Sequence, residues 1–282
     1  MDHPTTKIGV IIGTGGIGAA IAHRLAKGRQ LWIADYSETG LASVVKSLRE
    51  EGHNVEGHHL DIVDYSAVEK FAKEAAATGP IDAVVHTAGL SPVQAKTRRI
   101  FEVDALGFAN VMEAFYQVAS EGTSFVGISS MASHLLPEGF VPQALQIHFA
   151  TAPLDKLLIH PDLDIETENI MSYGIAKLGN RLRVQAAARA WGHKGARINT
   201  ISPGVISTPM GDREWESEMG QHMRAMVEGS GSRRKGTSDE IAGAAVFLVG
   251  PDSTFITGTD ILVDGGVVCS TRWNAVAAAQ AS

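Results

Sequence analysis

The chain has 282 residues, of which 44% are hydrophobic and 20% charged, enough for one large globular core. Its formal charge of −7 disfavours a nucleic-acid-binding surface, and no segment approaches the ~20 uninterrupted apolar residues of a membrane span. The lone Cys269 excludes an intrachain disulfide, and the polar start Met1-Asp2-His3-Pro4 has no secretory or lipidation character, so a cytoplasmic setting is expected.

A β-branched strand over Lys7–Ile12 runs into Gly13-Thr14-Gly15-Gly16-Ile17-Gly18, and Ala19, Ala20, Ile21, Ala22 and Leu25 follow at helical spacing. Glycines at 13, 15 and 18 fit G-x-G-x-x-G, a turn that brings backbone amides to a pyrophosphate at a helix N-terminus. A second strand, residues 31–34, ends at Asp35, seventeen residues beyond Gly18. A carboxylate there can accept from adenosine ribose hydroxyls and repel a 2′-phosphate, which argues for NAD over NADP. The competing role is an N-cap, which Asp35 or Ser37 could fill for a helix over residues 41–48.

The third strand covers residues 55–60 and ends in Asp61-Ile62, and Asp64 begins another helix. His53, His58 and His59 lie close together, but no carboxylate or thiol stands at ligand spacing on one element, so no metal is expected. The fourth strand, Ile81–His86, closes in Thr87-Ala88-Gly89, small residues that let backbone lie against a flat ligand. One continuous helix is expected over residues 97–120, with Asp104 either solvent-facing or paired. Strand five, Ser124–Ile128, ends in Ser129-Ser130 at the edge where open parallel sheets bind ligands.

Residues 135–170 contain Pro137, Pro142, Pro153 and Pro161 and permit only short helical pieces, at 143–149 and 154–159. An insertion at the ligand-facing edge reads as a lid or recognition element. A long core helix then opens with Tyr173-Gly174-Ile175-Ala176-Lys177. Residues four apart share a helix face, so the Lys177 ammonium can stand beside the Tyr173 phenol and stabilise its phenolate for general acid or base work. By itself Tyr-x-x-x-Lys is a weak signal. A sixth strand at 196–201 leads into Ser202-Pro203-Gly204-Val205-Ile206-Ser207-Thr208. Residues 211–236, with an amphipathic helix at 215–227, read as a flap over the cleft, and the basic run Arg233-Arg234-Lys235 as a solvated loop. Ser238-Asp239-Glu240 is expected to cap a helix over 241–249, before a last strand, Asp260–Val263, and an alanine-rich tail from Cys269 that frays or packs on a neighbour.

Strands alternating with helices, without repeat or linker, mean an α/β fold: a single-domain, Rossmann-like, doubly wound parallel sheet with helices on both faces. The chain resembles the short-chain dehydrogenase/reductase family over nearly its whole length, through the glycine turn, Asp35, Asp61-Ile62, Ala88-Gly89, Ser130, Tyr173 with Lys177, residues 199–208 and Asp264-Gly265-Gly266. The resemblance implies that Tyr173 exchanges the proton, that Lys177 lowers its pKa and holds the nicotinamide ribose, and that Ser130 hydrogen-bonds the substrate oxygen. It further implies that Pro203, Gly204, Ile206 and Thr208 line the nicotinamide and Asp61 and Ile62 the adenine. The family pattern is departed from in three places: the glycine turn is one residue tighter, Asn-Asn-Ala-Gly has become His86-Thr87-Ala88-Gly89, and Asp104 stands where an asparagine linked to the active-site lysine is usual. The insertion from about Leu135 to Ile170 is longer than the family's usual link between serine and tyrosine, and loosely resembles the bacterial hydroxysteroid dehydrogenase/carbonyl reductase branch.

These features lead to an expected NAD-dependent alcohol dehydrogenase or carbonyl reductase acting on a secondary alcohol or ketone, with steroids or terpenoids as candidate bulky substrates. A dinucleotide-binding scaffold or sensor without turnover is the rival, and an epimerase or dehydratase using NAD transiently a weaker one. A homotetramer or homodimer built partly from the helices starting near Thr97 and Met171 is implied by the resemblance.

Overall fold

The computed structural model describes residues 6–273; the expectations for Met1 to Pro4 and for the tail beyond residue 273 lie outside them. Seven parallel strands form the main sheet: β1 (Lys7–Ile12), β2 (Arg29–Asp35), β3 (Val55–His59), β4 (Ile81–His86), β5 (Ser124–Ile128), β6 (Arg197–Pro203) and β9 (Asp260–Val263), in the order β3-β2-β1-β4-β5-β6-β9. Two short strands, β7 (Ile206–Ser207) and β8 (Gly236–Thr237), pair separately. The order reverses between β1 and β4, and the crevice beyond their carboxyl ends is where such sheets take ligands.

The central strands are apolar on both faces because helices cover both. On one face α3 (Tyr65–Thr78), α5 (Phe108–Val118) and α7 (Ser172–His193) meet Ile8, Val10, Val84 and Phe125; on the other α1 (Gly16–Leu25), α2 (Glu38–Glu50) and α10 (Ser238–Val249) meet Ile11, Ile33, Val85 and Val126. The histidines near β3 are used in packing: His58 stacks on Trp32 with centroids 4.5 Å apart and planes 10° apart.

The structure departs from the sequence expectations in three places. The helix expected over 97–120 is α4 (Thr97–Ile100), a π-helical stretch Phe101–Gly107, and then α5. Such widened turns carry an extra residue per turn and re-aim the side chains within them; Asp104 is one of these. The helix expected at 215–227 is two, α8 (Pro209–Glu216) and α9 (Gly220–Glu228). Ser217 breaks it by turning extended (ψ 177°) while its hydroxyl donates to the Glu214 carbonyl at 2.6 Å. Finally, Thr237 rather than Ser238 caps α10, in a reciprocal box with Glu240. The nearby basic run is partly paired, Arg234 with Glu240 and Lys235 with Asp212.

Residues 135–170 form a layer on the outer face of α7. The helix α6 (Gln143–Thr151) lays Leu145 and Phe149 against Ile175 and Ala176, and Phe149 lies 3.1 Å from where a Cβ on Gly179 would stand. The Arg183 guanidinium fastens the end of α6 by donating to the carbonyls of Phe149 (3.0 Å) and Ala152 (2.7 Å). The insertion thus covers part of α7, one of the helices from which the resemblance implied subunit contact.

Candidate active site

Gly13, just past β1, has φ +102°, and a Cβ there would stand 2.5 Å from the Ala88 nitrogen and from the Thr87 hydroxyl. A side chain at Gly18 would overlap the Gly13 carbonyl. Both glycines are therefore required for the turn to lie against the end of β4, where the Thr87 hydroxyl donates to the Gly13 carbonyl at 3.0 Å. Gly15, the N-cap of α1, supplies no side-chain cap, and the space in front of it is open. Unsatisfied helix N–H groups facing open space fit a pyrophosphate. Gly16 packs under the Thr208 methyl, 3.0 Å from where its Cβ would be, so the N-cap of α8 borders this cradle, and Ile17 turns inward to the core.

At the end of β2, Asp35 Oδ2 accepts from the Thr14 backbone N–H (2.5 Å) and hydroxyl (2.7 Å), while Oδ1 accepts from the Ser37 N–H (2.7 Å). Ser37 itself caps α2. The carboxylate therefore stands at the mouth of the glycine turn, where an adenosine ribose would lie. Asp61 accepts from the Val63 N–H at 3.0 Å and lies 3.5 Å from the Arg99 guanidinium. The Ile62 side chain is buried against Gly107, and its carbonyl accepts from Asn110 at 3.0 Å, so Asp61 stays at the surface of the crevice and Ile62 forms its floor.

Strand β5 and helix α7 bring Ser130, Tyr173 and Lys177 together. The neighbouring Ser129 hydroxyl donates to the Lys177 carbonyl at 2.9 Å and fixes the helix to the strand end. The Ser130 hydroxyl lies against the Tyr173 phenol, and the Lys177 ammonium stands 5.4 Å from the Tyr173 ring centroid. Lys177 is 4% exposed; it donates to the Ile128 carbonyl at 3.4 Å and lies 3.5 Å from Asp104 Oδ1. Asp104, 1% exposed, also accepts from the Leu90 N–H at 2.9 Å, and its Oδ2 has no partner. Gly89 makes this pairing possible, because a Cβ there would sit 2.6 Å from Asp104 Oδ1 and 3.0 Å from Lys177 Nζ.

Several neighbours act on the Tyr173 phenol. Burial pushes the phenol up, the Asp104 and Glu214 carboxylates push it further, and the Ser130 hydroxyl opposes them. Burial likewise raises Asp104 against the pull of Lys177 and the Leu90 N–H. His86, at the end of β4, is pushed down to about 3 by burial and the Lys177 charge, and neither ring nitrogen has a partner. It is a neutral ring packed on Phe108, with centroids 5.2 Å apart.

At the end of β6, Pro203 is buried; beyond it Gly204 lies against Asp264 and Ile206 turns into the core, leaving Thr208 facing the glycine turn. Across the cleft, α8 carries Glu214, a carboxylate raised by burial and opposed by the Ser91 hydroxyl. A cavity of about 280 Å³ opens beside Ser172, walled by Pro92, Val93, Ile170 and Met219. A larger open concavity of about 540 Å³ lies at the other end of the sheet, around Lys7, Arg29 and His53, away from these groups.

Sequence reasoning brought out Ser130, Tyr173, Lys177 and Asp104 but not Glu214 or Ser129. Glu214 had no signal, because it lies in a stretch of α8 that reads only as polar in sequence. Ser129 carried one in hindsight, as a second hydroxyl at the same strand end.

The chain matches the family model described as short chain dehydrogenase over residues 7–142 and that described as Enoyl-(Acyl carrier protein) reductase over residues 164–268. It is 36% identical over 260 residues to Short-chain dehydrogenase/reductase bsc3 of Alternaria brassicicola, covering 92% of this chain and 94% of that protein. It is 28% identical to the 3-alpha-hydroxysteroid dehydrogenase/carbonyl reductase of Comamonas testosteroni, covering 81% and 93%. The structure of a short-chain type dehydrogenase/reductase from Mycobacterium ulcerans shares the fold, with a TM-score of 0.74 at 24% identity and coverage of 95% and 92%.

Proposed function

Because the chain belongs to the short-chain dehydrogenase/reductase family, we propose that this oxidoreductase is NAD-dependent and acts on a secondary alcohol or ketone. The observation that carries the reading is the convergence of Ser130, Tyr173 and Lys177 beside a glycine cradle. NAD, when bound, accepts or supplies the hydride. The glycine turn and the N-terminus of α1 hold its pyrophosphate, and Asp35 accepts from the adenosine ribose and disfavours a 2′-phosphate. Tyr173 exchanges a proton with the substrate oxygen, Ser130 donates a hydrogen bond to that oxygen, and Lys177 holds the nicotinamide ribose hydroxyls.

The steroid named for the Comamonas relative supports a bulky apolar substrate as one candidate; the cavity near Ser172 joins apolar residues such as Val93, Ile100 and Ile170 to the polar Thr97, Glu168 and Asn169. The flap and the insertion set its shape. A second reading, a dinucleotide-binding scaffold or sensor, is motivated by the Asp104–Lys177 pair, which engages the lysine charge. The test is consumption of NADH and NADPH with a panel of ketones, including ketosteroids, by the wild type and Ser130→Ala. The proposal expects NADH-dependent reduction that Ser130→Ala slows by ~10²-fold or more. Tight NAD binding with no turnover on any ketone favours the scaffold, and product without net NADH change favours an epimerase or dehydratase.

A further inference from the structure

We propose that Asp260 is a positioning residue for the reaction: through Arg181 and Ser133 it fixes the turn that carries Ser130 against the helix that carries Tyr173 and Lys177. The inference rests on the reading above and adds to it a residue at the edge of the sheet. Asp260 opens β9, the last strand in the sheet order, and its side chain is only 5% exposed.

Two hydroxyls of β6, those of Thr200 (2.6 Å) and Ser202 (2.9 Å), donate to Asp260 Oδ1. The other oxygen, Oδ2, accepts from the His134 ring at Nε2 (2.8 Å) and lies 3.5 Å from Arg181 Nε. Burial pushes this carboxyl up, but the His134, Thr200, Arg181 and Ser202 contacts outweigh it and hold it below the ordinary aspartate value, so it accepts as an anion. Four partners from three segments thus converge on one buried charge: β6, α7 and the 3-10 turn Met131–His134. A buried carboxylate holds such partners closely, because moving one away leaves part of its charge unpaired.

The contacts reach Ser130 in two steps. The Arg181 guanidinium, one helical turn beyond Lys177, donates to the Ser133 hydroxyl at 3.1 Å and to the Ser133 carbonyl at 3.4 Å. That hydroxyl in turn donates to the Ser130 carbonyl at 2.7 Å, and within the same turn the Ala132 N–H donates to the Ser130 hydroxyl oxygen at 3.2 Å. Strand end and helix are therefore joined on both sides of Ser130: before it by Ser129, which donates to the Lys177 carbonyl at 2.9 Å, and after it by the Asp260 contacts. This double hold keeps the Ser130 hydroxyl against the Tyr173 phenol. A misplacement of about 1 Å at such a group is worth on the order of 10²-fold in rate. The glycine cradle at β1 and α1 contributes no residue to these contacts, so cofactor binding should not depend on them.

The test compares wild type, Asp260→Asn, Ser133→Ala and the double variant by hydrogen exchange, NAD affinity and steady-state ketone reduction. Asp260→Asn keeps the size of the side chain but removes the charge that Arg181 faces. Exchange of the amides of residues 131–135 should quicken in both single variants, while peptides from β1 and α1 keep the wild-type rate. In turnover kcat should fall by about tenfold, with KM and NAD Kd within about threefold of wild type. The double variant should lose no more than the larger single loss, because both changes act along one path. If Asp260→Asn folds poorly, Ser133→Ala, which removes a single hydroxyl, carries the test. Unchanged exchange at 131–135 in both single variants, or equal losses of kcat and NAD affinity, would overturn the proposal. Inactivity of the wild type on every ketone would instead remove the functional reading, and the exchange comparison would still decide whether Asp260 holds the Ser130 turn.

Discussion

The Asp35 carboxylate holds the backbone and the side chain of Thr14 at once, at 2.5 and 2.7 Å. One residue at the end of β2 thus shapes the glycine turn and sets the charge at its mouth. Asp35→Ser should act on both. Loss of the repelling carboxylate should raise the NADPH-to-NADH ratio of kcat/KM by about tenfold or more. Loss of the Thr14 contacts should cost about 1.5–3 kcal/mol of stability for hydrogen bonds to a charged group, visible in urea denaturation. An unchanged cofactor ratio would show that the carboxylate does not face the ribose.

The two glycines that border the site should separate fold from function. A methyl on Gly15 meets nothing within 4 Å, so Gly15→Ala should leave the melting temperature unchanged yet weaken NAD binding by intruding on the pyrophosphate. A methyl on Gly89 would stand 2.6 Å from Asp104 and 3.0 Å from Lys177. Gly89→Ala should force the pair apart and cost about 1–3 kcal/mol, with turnover reduced by more than tenfold. Calorimetric binding and melting curves on the two variants check both statements.

Much of this arrangement was legible in the sequence. The Tyr173 and Lys177 spacing, the glycine turn and the strand ends at Asp35 and Ser130 follow from periodicity and turn chemistry, which are local. The placement of Asp104 beside Lys177 was legible only through the family resemblance, because a π-helical turn keeps the same apolar residues as the α-helix it interrupts and leaves the hydrophobic pattern intact. Glu214 was hidden because it lies ahead of the amphipathic segment read at 215–227, in residues that read only as polar, whereas α8 begins at Pro209. The cap of α10 could have been found, since Thr237-Ser238-Asp239-Glu240 is a capping-box pattern.

His86 should make stability depend on pH. Its folded pKa of about 3 lies below the ordinary histidine value, so the unfolded chain binds a proton that the folded one refuses. The stability of the neutral ring is fully present above pH ~6.5 and is lost as pH falls from there toward about 3, at up to ~1.4 kcal/mol per pH unit. Urea denaturation at pH 7.5 and at pH 5 should show a steeper loss for wild type than for His86→Leu. Equal slopes would mean that the ring finds a partner when protonated.

The insertion should be held by Arg183, which fastens the end of α6 through the carbonyls of Phe149 and Ala152. Arg183→Met keeps an apolar stem but removes both donors, at a cost of about 1.5–3 kcal/mol for each charged hydrogen bond. Limited proteolysis should then cut within residues 135–170 faster than in wild type. If the insertion shapes the substrate cavity through its end at Ile170, KM for bulky ketones should rise while KM for small ones stays unchanged.

The most direct test of the account is a side-by-side measurement of NADH-dependent ketone reduction and NAD affinity in wild type and Tyr173→Phe. The account predicts that the variant loses turnover by ~10²–10⁴-fold, the range for a positioned general acid, while NAD affinity stays within about threefold. Retained turnover in Tyr173→Phe would contradict it, because no other residue in the cleft is assigned the proton.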